Sequence, residues 1–302
     1  MIIDLRYHIA SLVAVFLALG IGILIGSALL GNDALVLEQE KMLSRLEQEF
    51  NRVKDELRAH QETIKKQEMA LEVDHQFHKV ILPYLLKGQL QDRRIVLVRT
   101  TEVIDMNLAK ELAALLRSAG AEVTSITSFS QWPRLNDPTE RQATALALGK
   151  DPNQSRWTGE LFNELMEELS SGRSMSCLSM LQSQDFIQLS GDYTAGPCDT
   201  LIILGGEREN TGSRVREIDF PLIDAARRQG LTVIGAEPLS AAVSYVPEYR
   251  KKGISTVDNI DTIPGQSALV FALASGKRGH YGVKDTARTL MPELGQDQKN
   301  LK

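Results

Sequence analysis

The residues with the clearest capacity for metal chemistry lie in the segment MSCLSM, which contains Met175, Cys177 and Met180. Thioether and thiolate sulfur atoms are soft ligands that suit Cu(I), so this cluster is a candidate copper site. Two other interpretations stay open. Cys177 could pair with Cys198 in a disulfide if the domain lies outside the cytoplasm, and a lone Cys or Met in an apolar segment most often packs into a core.

Two histidines, His75 and His78, form a second candidate metal site near the end of a long charged segment. Their spacing places both imidazoles on one face of a helix, where they could bind a divalent metal, especially if a second copy adds two more. Polar residues at such positions of a coiled coil more often set register and oligomeric state. We expect no resident cofactor.

The ends of the predicted strands carry little that would bind a nucleotide. The residues after Thr100 read TEVIDMN and contain no glycine, so they cannot form the glycine-rich turn that lets a pyrophosphate approach the backbone. Gly205 and Gly206 could shape an anion-binding turn, although such a pair more often forms a tight turn. The chain also has no GxxxxGK[ST] motif, and ATP or NAD chemistry is not expected.

Two pairs of carboxylates follow predicted strands, Glu207 with Glu209 and Asp258 with Asp261. Paired carboxylates can do acid or base chemistry. No histidine lies near them in sequence to complete a catalytic triad, since His280 is the domain's only histidine. We therefore predict that the protein is not an enzyme and assign no catalytic residues.

The segment from Ile9 to Leu30 contains no charged residue. About 20 apolar residues suffice to cross the roughly 30 Å core of a bilayer as a helix. We predict a short tail at 1–8 and a single membrane span at 9–30 that acts as an uncleaved anchor. The alternatives are a buried core helix and a cleaved signal peptide, which has a shorter apolar run and a basic start. The flanking charges only weakly favour a topology with the bulk of the chain outside the cytoplasm.

A stripe of small residues repeats every four positions within this span: Ala10, Ala14, Ala18, Gly22 and Gly26. Small side chains at this spacing let membrane helices approach closely and associate by van der Waals contact. The pattern predicts self-association, although glycine and alanine are common in membrane spans in any case.

Residues 31–82 have the pattern of a coiled coil. Six apolar residues follow one another at heptad spacing: Val36, Leu43, Phe50, Leu57, Ile64 and Leu71. The second seam position is more polar and weakens toward its end. Gly and Pro are absent from Asp33 to Leu82, and Pro83 is predicted to end the helix. We predict pairing with a second copy or another coiled-coil protein; the alternative is a helix packed on its own globular domain.

Residues 91–292 predict one α/β domain, followed by a polar tail at 293–302. Apolar β-branched runs such as Arg94–Thr100 and Thr200–Leu204 alternate with helical patterns, which is typical of a parallel sheet covered on both faces. We predict a doubly wound, Rossmann-like domain with a polar, mostly helical insertion at about 130–197.

A candidate partner surface lies in the segment GHYGVKDTARTLMP, where His280, Tyr281 and Lys284 could anchor another protein. The alternative is a loop that covers the edge of the sheet and packs Leu290 and Met291 into the core. The net charge of −5 argues against nucleic acid as a partner.

Three segments resemble the MctB family of bacterial envelope proteins: the opening MIIDLRYHIASLVAVFLALGIGILIGSALLG, the pair STVDNIDTIPGQSALVFAL and GKRGHYGVKDTARTLMP near the end, and the coiled-coil pattern between them. The resemblance covers both ends of the chain and the order of its segments. Residues 130–197 contribute no matching motif.

The resemblance implies copper transport in the bacterial envelope, with a channel as one proposed form. A SteB-like relative implies instead a SteA-like membrane partner and control of cell-wall hydrolysis at division. One apolar span and a parallel-sheet pattern fit a pore poorly, because a pore requires a closed barrel or several helices. We therefore favour a dimeric, membrane-anchored scaffold or adaptor, with an oligomeric copper channel or efflux component as the alternative and a hydrolase or ligand-binding α/β enzyme third.

Overall fold

The computed structural model describes residues 5–154, 156–209 and 214–293. The chain divides into two compact units, Met1–Asp74 and His75–Lys302. The first unit and the start of the second belong to one helix, α1 (Leu5–Leu86). An N-terminal apolar helix and a long charged helix are thus both present, as the sequence predicts.

Pro83 does not end α1, which corrects the prediction from sequence. The helix continues to Leu86, with Pro83 in its final turn. Proline lacks an N–H group and destabilises a helix when it lies in the interior of that helix. Leu82 and Leu86 lie in the core of the second unit with 6% and 0% of their surface exposed, and their burial holds the final turn helical.

A seven-stranded sheet forms the centre of the second unit. The strands are β1 (Arg94–Arg99), β2 (Glu122–Phe129), β3 (Ile187–Gly191), β4 (Thr200–Leu204), β5 (Thr232–Ala236), β6 (Ser255–Val257) and β7 (His280–Tyr281). Their order is β3-β2-β1-β4-β5-β6-β7, and every pair is parallel except β2 with β3. The order changes direction between β1 and β4, the kind of point where doubly wound folds place their ligands.

Helices and short helical segments connect these strands: α2 (Met106–Ser118), α3 (Pro138–Ala147), α4 (Trp157–Ser171), α5 (Ser176–Ser183), a π-helix (Val215–Asp219), α6 (Phe220–Arg228), α7 (Val246–Lys251) and α8 (Ile263–Ser275). Side chains cap three of their amino termini. Asp105 accepts a hydrogen bond from the backbone N–H of Leu108 at 2.7 Å, and Thr262 does the same for Gly265 at 3.2 Å.

Both faces of the sheet are buried, which confirms the predicted fold class. Alternate residues of β1 enter opposite cores: Val96 and Val98 pack with α4, α5 and α6, whereas Ile95 and Leu97 pack with α2, α8 and the end of α1. The continuous apolar composition of β1 and β4 follows from this arrangement, because a strand covered on two sides has no solvent face to keep polar.

Residues 130–197 contain helices α3, α4 and α5 and also strand β3, which the sequence did not indicate. β3 pairs antiparallel with β2 at the edge of the sheet. Its end fits closely, since a Cβ on Gly191 would lie 2.5 Å from the carbonyl oxygen of Thr124. A short edge strand with one buried residue, Ile187, carries too little alternation to stand out.

Candidate functional site

The apolar heptad residues of α1 form an exposed face, which we call the heptad face: Val36, Leu43, Phe50, Leu57, Ile64 and Leu71. Each has between 50% and 69% of its surface exposed. Uncovered apolar side chains of this size, repeated at one spacing, are typical of a helix that pairs with another helix. The pairing itself stays a prediction at this point.

One helical segment among the described residues, Arg6–Ala28, is long and apolar enough to cross a membrane, and none of it is buried within the chain. The small-residue stripe from Ala10 to Gly26 lies within this segment. A Cβ on Gly22 or Gly26 would meet no atom within 4 Å, so the stripe leaves room for a neighbouring helix.

The soft-ligand cluster lies at α5. Cys177 is buried, and its thiol points to the carbonyl oxygen of Leu161 at 3.9 Å. Burial, aided by the nearby Glu168 carboxylate, raises the pKa of the Cys177 thiol to about 12. Met175 and Met180 are partly buried against the same core. All three residues are therefore close to one core, but the thiolate that a Cu(I) site needs is disfavoured.

Cys198 does not form the alternative disulfide, because both cysteines are free. Its thiol donates to the carbonyl oxygen of Leu169 at 3.8 Å, and burial raises its pKa to about 11. His75 and His78 are exposed on α1. Within the described ranges, no three His, Cys, Asp or Glu side chains are grouped to hold a metal ion.

The carboxyl ends of β1, β4 and β5 carry a buried polar cluster, here termed the carboxyl-edge cluster. At its centre, the Tyr249 hydroxyl donates a short hydrogen bond to the Asp219 carboxylate, and both residues are fully buried. The π-helix Val215–Asp219 turns Asp219 inward. Gly205 and Gly235 make room for the tyrosine, because a Cβ on either would lie within 2.3 Å of its side chain.

Burial raises the pKa of Asp219 to about 7, which the hydrogen bond from Tyr249 only partly offsets. One carboxylate oxygen, Oδ1, has no hydrogen-bond partner among the described residues. Burial disfavours the charged form of a carboxyl group, so Asp219 keeps its proton to a higher pH than an exposed aspartate does. Asp219 is therefore a buried group that titrates near neutral pH.

A second tyrosine, Tyr245, donates to Glu207 Oε1 at 2.5 Å. The backbone N–H of Tyr245 donates to Glu237 Oε2 at 2.7 Å. Both carboxylates are buried. Neither has the open approach to solvent that a general base needs for a substrate.

Lys284 completes the cluster from the loop after β7. Its Nζ lies 2.8 Å from Glu237 Oε1 and also donates to the carbonyl oxygens of Pro238 and Ala241. Only 17% of the Lys284 side chain is exposed, and none of Glu237 is. This buried, fully hydrogen-bonded ion pair joins the β7 loop to the strand ends.

Of the predicted partner surface, Tyr281 is buried, whereas His280 and Lys284 are partly exposed. Tyr281 is 5% exposed and its hydroxyl donates to the Lys277 carbonyl oxygen at 3.2 Å. His280 Nδ1 lies 3.0 Å from Thr256 Oγ1, and burial lowers its pKa. β7 extends the sheet here, and Met291 packs on the core while Leu290 stays 44% exposed.

The remaining sequence candidates do not assemble into a catalytic set. Glu207 lies in the carboxyl-edge cluster, whereas Glu209 is exposed beyond it. Asp258 accepts the backbone N–H groups of Val283 and Lys284 at 2.8 and 3.2 Å, so it shapes the loop. Asp261 accepts the backbone N–H of Leu239.

Sequence reasoning missed most of the carboxyl-edge cluster. Asp219, Glu237 and Tyr249 are far apart in the chain, and their types carry no motif. The usable signal was the glycine at the end of β4 and within β5, since a strand glycine often marks a close approach. These glycines indicate where another group approaches the strands, but they do not indicate that the group is Tyr249.

Comparison with known proteins places the chain in a family. Residues 2–292 match the family described as "Copper transport outer membrane protein, MctB". Proteins named "Copper transporter MctB" from Mycobacterium tuberculosis and Mycobacterium bovis are each 26% identical over 316 residues, covering 93% of this chain and 96% of the relative. The Mycobacterium leprae protein of that name is 24% identical over 323 residues, covering 95% of this chain and 98% of its own. With one candidate span among its described residues and a mostly parallel sheet, this chain is a membrane-associated envelope protein of the MctB family.

Proposed function

We propose that this chain is a membrane-anchored adaptor that pairs with a second copy through α1 and presents its α/β domain to protein partners. The observation that supports it is the heptad face, which is exposed along its whole length. Burying a large apolar side chain contributes roughly 1.5–3 kcal/mol. Six such residues on each chain make a paired helix strongly favoured over an uncovered one.

A second copy is the occupant that fits best. Identical chains in parallel bring each heptad position against itself, and the small-residue stripe from Ala10 to Gly26 then meets its own copy in the membrane. The second seam contains His60 and Gln67. Polar residues at seam positions restrict register and oligomeric state, which favours one defined dimer over loose association.

An adaptor accounts for the α/β domain better than an enzyme does. The buried carboxylates Glu207 and Glu237 already have hydrogen-bond partners, and Asp219 is enclosed. The resemblance to SteB-like proteins supports a SteA-like membrane partner or a regulator of cell-wall hydrolysis. We place the bulk of the chain outside the cytoplasm, and carboxyl-terminal reporters active on only one side of the membrane test that placement.

A pore is the weaker form of the copper-transport hypothesis. Any structure that lines a channel must satisfy its backbone internally, as a closed barrel or a helix bundle. The part of the chain that the structure describes offers one candidate span, so several copies would have to surround the lumen. An adaptor needs only the pairing for which the heptad face is suited.

Copper handling is the second candidate function, because the relatives carry the name copper transporter. Cu(I) would be cargo, held by Met175, Cys177 and Met180 as soft ligands. The cost is visible in the structure: binding must displace the proton of a thiol whose pKa is about 12 and open its packing. A binding site at this cluster therefore requires local opening of α5.

Crosslinking of single cysteines tests the adaptor proposal. In a full-length background with Cys177→Ser and Cys198→Ser, Leu43→Cys or Leu57→Cys should crosslink to its own copy in membranes. Gln48→Cys and Asp55→Cys are matched controls because they lie on the opposite side of the helix. Equal crosslinking from both pairs would refute the seam.

Competition with a Cu(I)-specific chelator tests the copper proposal. The full-length protein should hold about one Cu(I), and Cys177→Ser should remove it, whereas Cys198→Ser should not. Unchanged Cu(I) binding in the Cys177→Ser variant would leave the cluster as core packing.

A further inference from the structure

A cavity of about 320 Å³ lies at the amino edge of the sheet, opposite the carboxyl-edge cluster. Four cationic side chains line it, Arg93, Arg227, Lys277 and Arg278, and its lining contains no carboxylate. Apolar residues also contribute to its lining: Leu231, Val233, Ile234, Ile254 and Ala272. This size is at the lower end of the range for small-ligand sites. We propose that the cavity binds a phosphate-bearing ligand, and we call it the basic cavity.

The first question is whether the fold already uses this positive charge. Helices α6, α7 and α8 end at the same edge, where their carbonyl groups carry partial negative charge. Arg227 donates to the Lys252 carbonyl oxygen at 2.6 Å, and Arg93 donates to the Leu273 carbonyl oxygen at 3.3 Å. Part of the charge therefore serves to cap helices.

The positive charge of the lining side chains exceeds the partial negative charge of the three helix ends. Each helix end is equivalent to about half an elementary charge, so three ends offset about 1.5 positive charges. Arg93 is separately paired with Asp199, whose Oδ1 lies 3.3 Å from Nη1. Arg227, Lys277 and Arg278 together carry three charges. The cavity therefore keeps a net positive charge of about 1.5 that an anion can neutralise.

The cavity is also open to a ligand in its geometry. Gly230, Gly253 and Gly276 border it, and a Cβ on any of them would meet no atom within 4 Å. Arg227, Lys277 and Arg278 are exposed, so their donors can turn toward an entering group. Arginine and lysine are the usual partners of phosphate oxygens, and the apolar lining residues can contact an organic group next to the phosphate.

Two sources would present this chemistry, a soluble phosphate ester and the headgroup of an anionic lipid. Calorimetric titration of the full-length protein in non-ionic detergent distinguishes them. Phenyl phosphate is the soluble probe, and dihexanoyl phosphatidic acid is the lipid probe. Dihexanoyl phosphatidylcholine, which carries no net charge, serves as the lipid control. Binding of phenyl phosphate supports a soluble ligand, whereas binding of the phosphatidic acid alone supports a headgroup.

A charge-matched pair of variants decides whether binding occurs in the basic cavity. The double variant Lys277→Gln/Arg278→Gln should bind the anionic probe at least tenfold more weakly, because each substitution removes a hydrogen bond to a charged group. Lys110→Gln with Arg173→Gln removes the same net charge from other exposed positions and should leave the affinity within about twofold. Absence of binding by both anionic probes, or equal weakening in both variants, would overturn the proposal.

Discussion

The buried carboxyl group of Asp219 makes the stability of the domain depend on pH, and the size of that dependence can be predicted. Its pKa is about 7 in the folded protein and 3.8 in the unfolded reference. The folded state therefore holds the proton more tightly. Its contribution to stability is fully present below about pH 4 and is lost as the pH rises through 7.

The size of the effect follows from the two pKa values. A difference of about three units corresponds to about 4 kcal/mol of unfolding free energy between pH 4 and pH 8. Asp219→Asn keeps an acceptor for the Tyr249 hydroxyl and cannot ionise. The variant should therefore gain stability relative to the natural protein as the pH rises, by up to about 4 kcal/mol at pH 8.

Urea unfolding at a series of pH values measures this difference. Both tryptophans, Trp132 and Trp157, lie in the α/β domain, so their fluorescence reports on that domain in the full-length protein. Tyr249→Phe is the matched variant, because it removes the hydrogen bond that lowers the pKa of Asp219. The pH at which folded Asp219 loses its proton should therefore be higher in this variant. A stability difference between Asp219→Asn and the natural protein that does not change between pH 4 and pH 8 would refute the reasoning.

Three further predictions concern the rest of the chain. Deleting one heptad, Phe50–Glu56, keeps the phase of the seam and should preserve membrane crosslinking of Leu57→Cys, whereas deleting the four residues Phe50–Val53 interrupts the phase and should reduce that crosslinking. Gly205→Ala should lower the free energy of unfolding of the domain, measured in urea, by about 1–3 kcal/mol, because the added Cβ would lie 2.1 Å from the Tyr249 hydroxyl. Lys284→Met should cost about 3–5 kcal/mol by leaving the Glu237 carboxylate unpaired, and adding Glu237→Gln should recover much of that loss. A double variant no more stable than Lys284→Met would argue against the ion pair.

The parts of the fold that the sequence predicts are those determined by local pattern. The boundaries of β4 coincide with the predicted apolar run Thr200–Leu204, and α2 (Met106–Ser118) is one of the helices that alternate with such runs. Their composition follows from burial on one or two faces, and that requirement is visible in a few adjacent residues. The apolar span and the heptad pattern are local in the same sense.

The parts that were missed depend on contacts between distant segments. β7 has two residues, His280 and Tyr281, and exists because β6 offers it an edge. Asp219 is the last residue of a π-helix, an element that no local pattern of residue types indicates. Lys284 and Glu237 are 47 positions apart in the chain, and lysine and glutamate are usually exposed, so the sequence does not indicate that they form a buried pair.

The last turns of α1 also determine where the protein can be cut. Leu82 and Leu86 are in the core with α2 and α8, and Leu90 follows them there. A fragment that starts at Gln91 would remove these three leucines and leave an apolar hollow open to water. A fragment that starts at His75 keeps them and matches the limit of the second compact unit. A protease that cuts after Leu82, Leu86 or Leu90 would therefore release a domain that lacks part of its own interior, and such cleavage would destabilise the domain.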